Sequence, residues 1–368
     1  GAAPAFFDVN ADGLMDLVVG NYGISKGQGK WEPRLFYFKN IGTATEPAFI
    51  LEDSDWLNFS QYNMLPNTGL VPAFGDVDTD GDIDLIVGTD NYDIFFVRNK
   101  TQSFGEPLEF DPIESLSPGS FTNNGLSPAL LDMNGDGKQD LVVGLRNGTM
   151  NYFENETTNP NLPIFTKKTM LLGGVSLPPG PTGESFCSPT AVTFTNGMTE
   201  LFLGEGENGG VYRYGNVVGN TASGGLFTKI SSNIGGLHEG FRTHPALADI
   251  NKDGLLELVV GNLAGGLSFF STNISKKDGS AFVDTQEVPS PKVQVEIWPN
   301  PADDQFTVKI EEAGADWRAF NVLGQLMGEG VFRSTENKVH VASWAAGFYF
   351  FEIRTSAGRA VKKVRIKS

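Results

Sequence analysis

Apolar residues recur along the first 287 positions in short runs separated by polar turns. Five four-residue runs end in glycine: LVVG at 17–20, LIVG at 85–88, LVVG at 141–144, LFLG at 201–204 and LVVG at 258–261. Each follows a segment opening with proline: PAFFDVN at 4–10, PAFGDVD at 72–78, PALLDMN at 128–134, PTAVTFTNG at 189–197 and PALADIN at 245–251. An aromatic run comes next in every copy: LFYFKN, IFFVRN, MNYFEN, VYRYGN and LSFFSTN. A fourth segment closes it: PAFILE (47–52), PLEFDPI (107–113), PIFTKKT (163–169), LFTKIS (226–231) and AFVDTQE (281–287). Short runs rich in β-branched and aromatic residues, bounded by Gly, Asn and Asp, predict strands. Successive leading prolines lie 68, 56, 61 and 56 residues apart. Four strands per repeat at that period predict an all-β β-propeller, one four-stranded sheet per blade. The repeats of a parallel β-helix are much shorter, so that solenoid is set aside.

Four copies insert an acidic loop between the first two strands. Its positions 1, 3 and 5 are Asp8, Asn10 and Asp12; Asp76, Asp78 and Asp80; Asp132, Asn134 and Asp136; and Asp249, Asn251 and Asp253. Position 6 is glycine in all four, suited to a turn that a Cβ would disfavour. Position 7 (Leu14, Asp82, Lys138, Leu255) varies, as a residue contributing only its carbonyl would. Position 9 is again an acid: Asp16, Asp84, Asp140 and Glu257. Oxygen ligands at alternate positions suit calcium, which takes six to eight of them. Thirteen carboxylates stand at positions 1, 3, 5 and 9, a density unfavourable without a cation. An EF-hand needs a bidentate Glu at position 12 and flanking helices. Here position 12 is Val19, Val87, Val143 or Val260, and the flanks are strand-like. The expectation is therefore four calcium sites in β-turn-β loops, with the acid-free copy at 189–204 binding no metal.

These motifs resemble the FG-GAP, or VCBS, repeat, the calcium-loop blade also found in integrin α-subunits. The likeness spans residues 4–287 and rests most on DxNxDGxxDLVVG. It implies a surface or extracellular binding module, usually with seven blades. Five are visible here, and the chain opens just before a blade's first strand. Further blades N-terminal to it are expected, with a closed five-bladed ring as the alternative.

Repeat periodicity stops near 287. The segment 288–292 (VPSPK) reads as a linker stiffened by proline. Residues 293–368 alternate as short strands and predict a small β-sandwich. WPNP at 298–301, GFYF at 347–350 and the terminal KKVRIK at 362–367 resemble the C-terminal sorting domain of the type IX secretion system. That family usually has Tyr or Phe where Trp298 stands. The resemblance implies passage through the outer-membrane secretion machinery and attachment to the outer cell surface.

The net charge is −17, and residues 292–368 carry 11 basic against 9 acidic residues. The propeller is thus strongly acidic, which argues against nucleic acid and anionic membranes as partners. No apolar run approaches the ~20 residues of a membrane-spanning helix. Cys187 is the single cysteine, which excludes an intrachain disulfide. His238, His244 and His340 have no neighbour at metal-ligand spacing. No acid, base or nucleophile set stands outside the loops, so no enzyme is expected. The expected function is adhesion or recognition of an extracellular protein or glycan. The alternative is an accessory or catalytic module of a secreted polysaccharide-acting enzyme. Calcium loops occupy one end of the blades, and the long loops at the other end carry the candidate partner residues Trp31, Trp56, Tyr62, Phe241 and Arg242.

Overall fold

The computed structural model describes all residues except 26–30, 62–68, 102–107, 161, 180–182, 207, 281–294, 312, 322–325, 356–357 and 368. The chain divides into two compact units, Gly1–Phe282 and Val283–Ser368. Both are all-β: among the described residues there are seven antiparallel sheets of three or four strands, and the helical segments are short 3-10 turns.

Among the described residues the first unit holds five sheets of three or four strands, in each of which the strands lie side by side in chain order, and a two-stranded pairing of Ile24–Ser25 with Trp31–Glu32. The first comprises Ala2–Phe7, Asp16–Asn21, Leu35–Asn40 and Phe49–Asp53. The second comprises Leu70–Gly75, Asp84–Thr89, Ile94–Val97 and Glu114–Leu116. The third and fourth run from Ser127–Leu131 to Phe165–Thr169 and from Cys187–Thr193 to Thr228–Ser231. The fifth has three described strands, His244–Ala248, Leu255–Gly261 and Leu267–Ser275; the predicted fourth at 281–287 lies outside the described residues. In the second sheet the outer strand starts later than the expected 107–113. Phe110 makes one bridge to Asn99 before the chain breaks register. Pro112, which has no N–H to donate, stands in that break.

The glycine-ended runs are the second strands, and they are buried on both faces: Leu17, Val18, Leu85, Ile86, Val87, Leu141, Val142 and Val143 are at most 1% exposed. Each such side chain contributes about 1.5–3 kcal/mol of burial. Their neighbours belong to the adjoining sheets. One core cluster joins Val18 and Leu35 to Leu85 and Val87, another Ile86 to Leu141, a third Val142 to Leu201, a fourth Phe202 to Leu258. The last joins Ala2, Leu17 and Val19 of the first sheet to Leu267 of the fifth.

The terminal glycine of each run marks a close approach between sheets. A Cβ on Gly20 would stand 2.1 Å from the Leu70 carbonyl oxygen, on Gly88 2.4 Å from that of Leu126, and on Gly144 2.2 Å from that of Cys187. On Gly204 it would stand 2.0 Å from the Thr243 oxygen, and on Gly261 2.3 Å from that of Ala2. The proline two residues beyond each of those carbonyls lies on the innermost strand, where a missing N–H costs no ladder bond.

The second unit packs a three-stranded sheet (Val295–Trp298, Gln305–Ile310, Glu336–His340) and a four-stranded one around a single core. Phe306 of the first meets Phe351 of the second edge to face, ring centres 4.8 Å apart, and the Trp317 ring stacks on Phe351.

Candidate functional site

The acidic loops share one hydrogen-bonding plan. In 8–16, the Asp12 N–H donates to Asp8 Oδ1 and Asn10 Oδ1, the Gly13 N–H to Asp8 Oδ2 at 2.8 Å, and the Leu14 N–H to Asp12 Oδ1 at 2.9 Å. In 132–140, Asp136, Gly137 and Lys138 repeat these bonds onto Asp132, Asn134 and Asp136. In 76–84, Gly81 donates to Asp76, Asp80 to Asp78 and Asp82 to Asp80. In 249–257, Asp253 donates to Asn251 and Leu255 to Asp253. The side-chain oxygens of positions 3 and 5 in all four loops, and of position 1 in the first three, thus accept backbone N–H groups of the turn.

Position 6 has the expected positive φ (Gly13 +84°, Gly81 +100°, Gly137 +88°, Gly254 +86°), and so does position 4, which the sequence reading missed. Ala11, Thr79 and Lys252 occupy position 4 at φ +57°, +67° and +57°. A left-handed residue with a Cβ costs about 1–2 kcal/mol.

Position 9 is different in kind. Asp16, Asp84 and Asp140 are fully buried, and Glu257 is 9% exposed. One carboxylate oxygen accepts the N–H of position 2: Val9, Val77, Met133 or Ile250, at 3.0–3.1 Å. In the first three sheets the other accepts the N–H of the asparagine ending the aromatic strand: Asn40, Asn99 or Asn155. Those asparagines return an amide bond to the carbonyl just before position 9, that of Met15, Ile83 or Gln139. The Asn at that point was visible in every repeat, but its role as a clamp on the loop was not. Tyr37 and Tyr152 add an O–H donor, each 3.0 Å from its acid, whereas Phe96 stands in their place in the second sheet. Of the three position-9 aspartates, Asp84 therefore has the most lone pairs to spare.

Burial raises the proton affinity of Asp84 to a pKa of about 7 and moves Asp16, Asp76, Asp78, Asp82, Asp140 and Glu257 in the same direction. Carboxylate oxygens of Asp76, Asp78 and Asp84 all lie within 4.8 Å of one another, a spread that ligands at 2.3–2.6 Å around one ion span. The buried Asp249 Oδ1 has no hydrogen-bond partner. The donor set suits a hard cation in both loops. Two side chains are already engaged: Arg98 Nε donates to Asp78 Oδ2 at 2.6 Å, and Lys138 Nζ to the Thr157 carbonyl at 2.7 Å.

The copy without the acidic loop turns through Phe194–Gly197, with Gly197 at φ +85°. One acid remains, Glu200, 8% exposed, and Arg213 Nε donates to its Oε2 at 2.5 Å.

At the opposite end of the sheets, Trp56 is a core residue, 8% exposed, between Tyr37, Phe74 and Phe110. It offers no face to a partner, because the 3-10 turn that carries it folds inward. Arg242 is likewise engaged, with Glu184 at 3.1 Å, Asp90 at 3.5 Å, and the rings of Tyr22 and Phe186 beneath its guanidinium. Phe241 is 51% exposed. Trp31 lies in a two-residue strand paired with Ile24–Ser25. Tyr62 lies outside the described residues. Cys187 is fully buried, and desolvation pushes its thiol pKa far up, so it is no nucleophile.

Among known proteins, residues 76–143 match the FG-GAP-like repeat and residues 296–367 the secretion system C-terminal sorting domain. No curated protein matches the chain. A solved structure with similarity is PorZ, described as an essential bacterial surface component of the type-IX secretion system of Porphyromonas gingivalis. It is 14% identical, with a TM-score of 0.31, covering 100% of this chain and 44% of its own. The chain thus spans less than half the length of that protein. Among the described residues no helix is long and apolar enough to cross a membrane. The chain carries an FG-GAP-like repeat and a type IX sorting tail, and is secreted through that system and attached to the cell surface.

Proposed function

We propose that the five sheets of the first unit close into a five-bladed, calcium-clamped propeller that binds an extracellular protein or glycan and catalyses no reaction. Calcium is structural on this reading: it fixes the turn and strand register of each acidic loop. The observation that carries it is the fourfold repetition of one carboxylate plan, with the position-9 acids buried and raised in pKa by desolvation; among the described residues an arginine reaches one of these loops, Arg98 at Asp78. Closure at five sheets is supported by Gly261, which approaches the Ala2 carbonyl and Pro4 as the other four glycines approach the next sheet. The first and fifth sheets are also linked by the Ala2 N–H, which donates to the carbonyl of Asn262, just past the strand Leu255–Gly261, at 2.9 Å. A non-catalytic role is supported by the acids: those in the loops serve the turn, and Glu200 is neutralised by Arg213.

Metal analysis of the purified protein tests the calcium, and a glycan and protein-partner screen in calcium and in chelator tests the binding. About four calcium ions per chain and chelator-sensitive binding are expected. Empty loops at millimolar calcium, with an unchanged melting curve, would overturn the proposal.

A further inference from the structure

The first unit contains five arginines. Arg34, Arg98 and Arg213 find an acid in their own repeat. Arg146, just beyond the strand Asp140–Gly144, and Arg242, just before His244–Ala248, come from different repeats and converge on one carboxylate, that of Glu184. Arg146 Nη2 donates to Glu184 Oε1 at 2.6 Å and Arg242 Nη2 to Oε2 at 3.1 Å. Each oxygen of the carboxylate thus accepts from a different arginine. Arg242 is anchored from below, between the rings of Tyr22 (5.8 Å) and Phe186 (5.9 Å) and beside Asp90, with φ +50°. Its side chain is only 12% exposed, whereas that of Glu184 is 45% exposed. The carboxylate is therefore the most solvent-facing member, Arg242 is the built part, and Arg146, 33% exposed, reaches the same carboxylate from the third sheet.

Beside it opens a cavity of about 450 Å³, lined by Asn123, Arg146, Asn147, Glu184 and Ser185 among others. Pro179 and Gly183 complete the lining, which is otherwise amides, a hydroxyl and charge, and Arg242 stands behind Glu184 rather than on the wall; little apolar surface is offered to anchor a side chain of a protein partner. Planar guanidiniums matched to a carboxylate are the usual means of reading an acid group. Side-chain amides and a serine suit sugar hydroxyls.

We propose that Arg146 and Arg242 form a carboxylate-reading site for an acidic, uronate-bearing glycan, and that Glu184 stands in the ligand's place when none is bound. This deepens the partner-binding reading and rests on it. The unit as a whole is acidic, so approach of such a glycan is not steered by net charge, and selectivity arises at the two guanidiniums alone. Glu184 competes intramolecularly, which keeps the resting affinity low.

The test uses the full chain in calcium, with titration calorimetry against a glucuronate-containing hyaluronan hexasaccharide, cellohexaose and a hexa-aspartate peptide. Glu184→Gln is expected to tighten hyaluronan binding by about tenfold or more by removing the competitor. Adding Arg146→Met to that variant is expected to abolish it, with cellohexaose unbound throughout. Calorimetric melts of each variant establish that it is folded. No tightening in Glu184→Gln, or binding that survives Arg146→Met, overturns the site. Equal binding of hexa-aspartate overturns the glycan assignment. Binding of a partner elsewhere, indifferent to both substitutions, would leave the broader reading standing and remove this one. No partner for any variant across the wider screen would remove both.

Discussion

The third and fourth sheets are built alike and neutralise their buried acid differently. Both are four-stranded with the same strand order, both end the second strand in a glycine pressed on the next sheet, and both shift register at the same point of the third strand. At that point Tyr152 of the third sheet pairs with Val142, and Arg213 of the fourth pairs with Phe202. Tyr152 gives Asp140 a neutral O–H; Arg213 gives Glu200 a full positive charge. The third sheet has an acidic loop to carry a cation, and the fourth has lost that loop. The guanidinium also caps the Gly279 carbonyl of the neighbouring repeat and lies 5.6 Å over the Phe202 ring; on the proposed reading it supplies from within the charge that calcium would supply from solution. If the proposed calcium is bound, the two sheets offset the buried acid at position 9 in two ways, by a cation in one and by Arg213 in the other.

The largest expected effect separates the two sheets by chelation. Each site saturated at a hundredfold excess over Kd adds about 2.7 kcal/mol. Removing calcium from four loops is then expected to lower Tm by more than about 10 °C. Hydrogen exchange should rise in 132–140 and its three counterparts, while 193–200 keeps its protection until global unfolding. Equal loss of protection in both places would break the comparison.

Next in size is Arg213→Met. Stripping one partner from a buried ion pair costs about 3–5 kcal/mol, and here the loss should be the same in calcium and in chelator. Adding Glu200→Leu should recover most of it, since an apolar pair replaces the buried charge. Asp136→Ala is the counterpart in the third sheet. It is expected to cost about 2–3 kcal/mol in millimolar calcium, one site's linkage energy, and much less in chelator. Denaturant melts of the three variants under both conditions give the full comparison.

These contrasts were partly legible in the sequence. The repeat, the acidic loops and the loss of acids at 193–199 follow from residue types at fixed offsets. The partner of Glu200 did not, because pairing of Arg213 with it depends on strand register and on a bulge that turns the arginine inward. The left-handed position 4 was hidden because Ala11, Thr79 and Lys252 do not announce it, whereas glycine at position 6 does. Trp56 was read as a loop aromatic because it lies between strands; the 3-10 turn that buries it has no strand or helix periodicity. The convergence of Arg146, Arg242 and Glu184 joins residues up to 96 positions apart, which only the packing of sheets brings together.

The smallest effect is one of pH, and its sign discriminates between a loop that contains a cation and one that does not. Burial lifts Asp84 to a pKa of about 7, and Asp16, Asp140 and Glu257 rise above the usual carboxylate range for the same reason. In the calcium-free protein these groups bind protons more tightly folded than unfolded. Between about pH 4 and pH 7 the folded state then carries the extra protons, so stability from this source is full at the acid end and lost as pH rises through the folded pKa. Bound calcium favours the ionised carboxylates and opposes that slope, so metal affinity should climb over the same range. Melts in chelator are expected to rise as the pH is lowered from about 7.5 to about 5.5; in millimolar calcium the dependence should flatten or invert. The difference between the two slopes should shrink when Asp84 is replaced by Asn, which cannot titrate. Coincident slopes with and without calcium would mean that the buried acids do not sense the ion. Arg213 would then be a local ion-pair partner of Glu200 rather than a substitute for a metal.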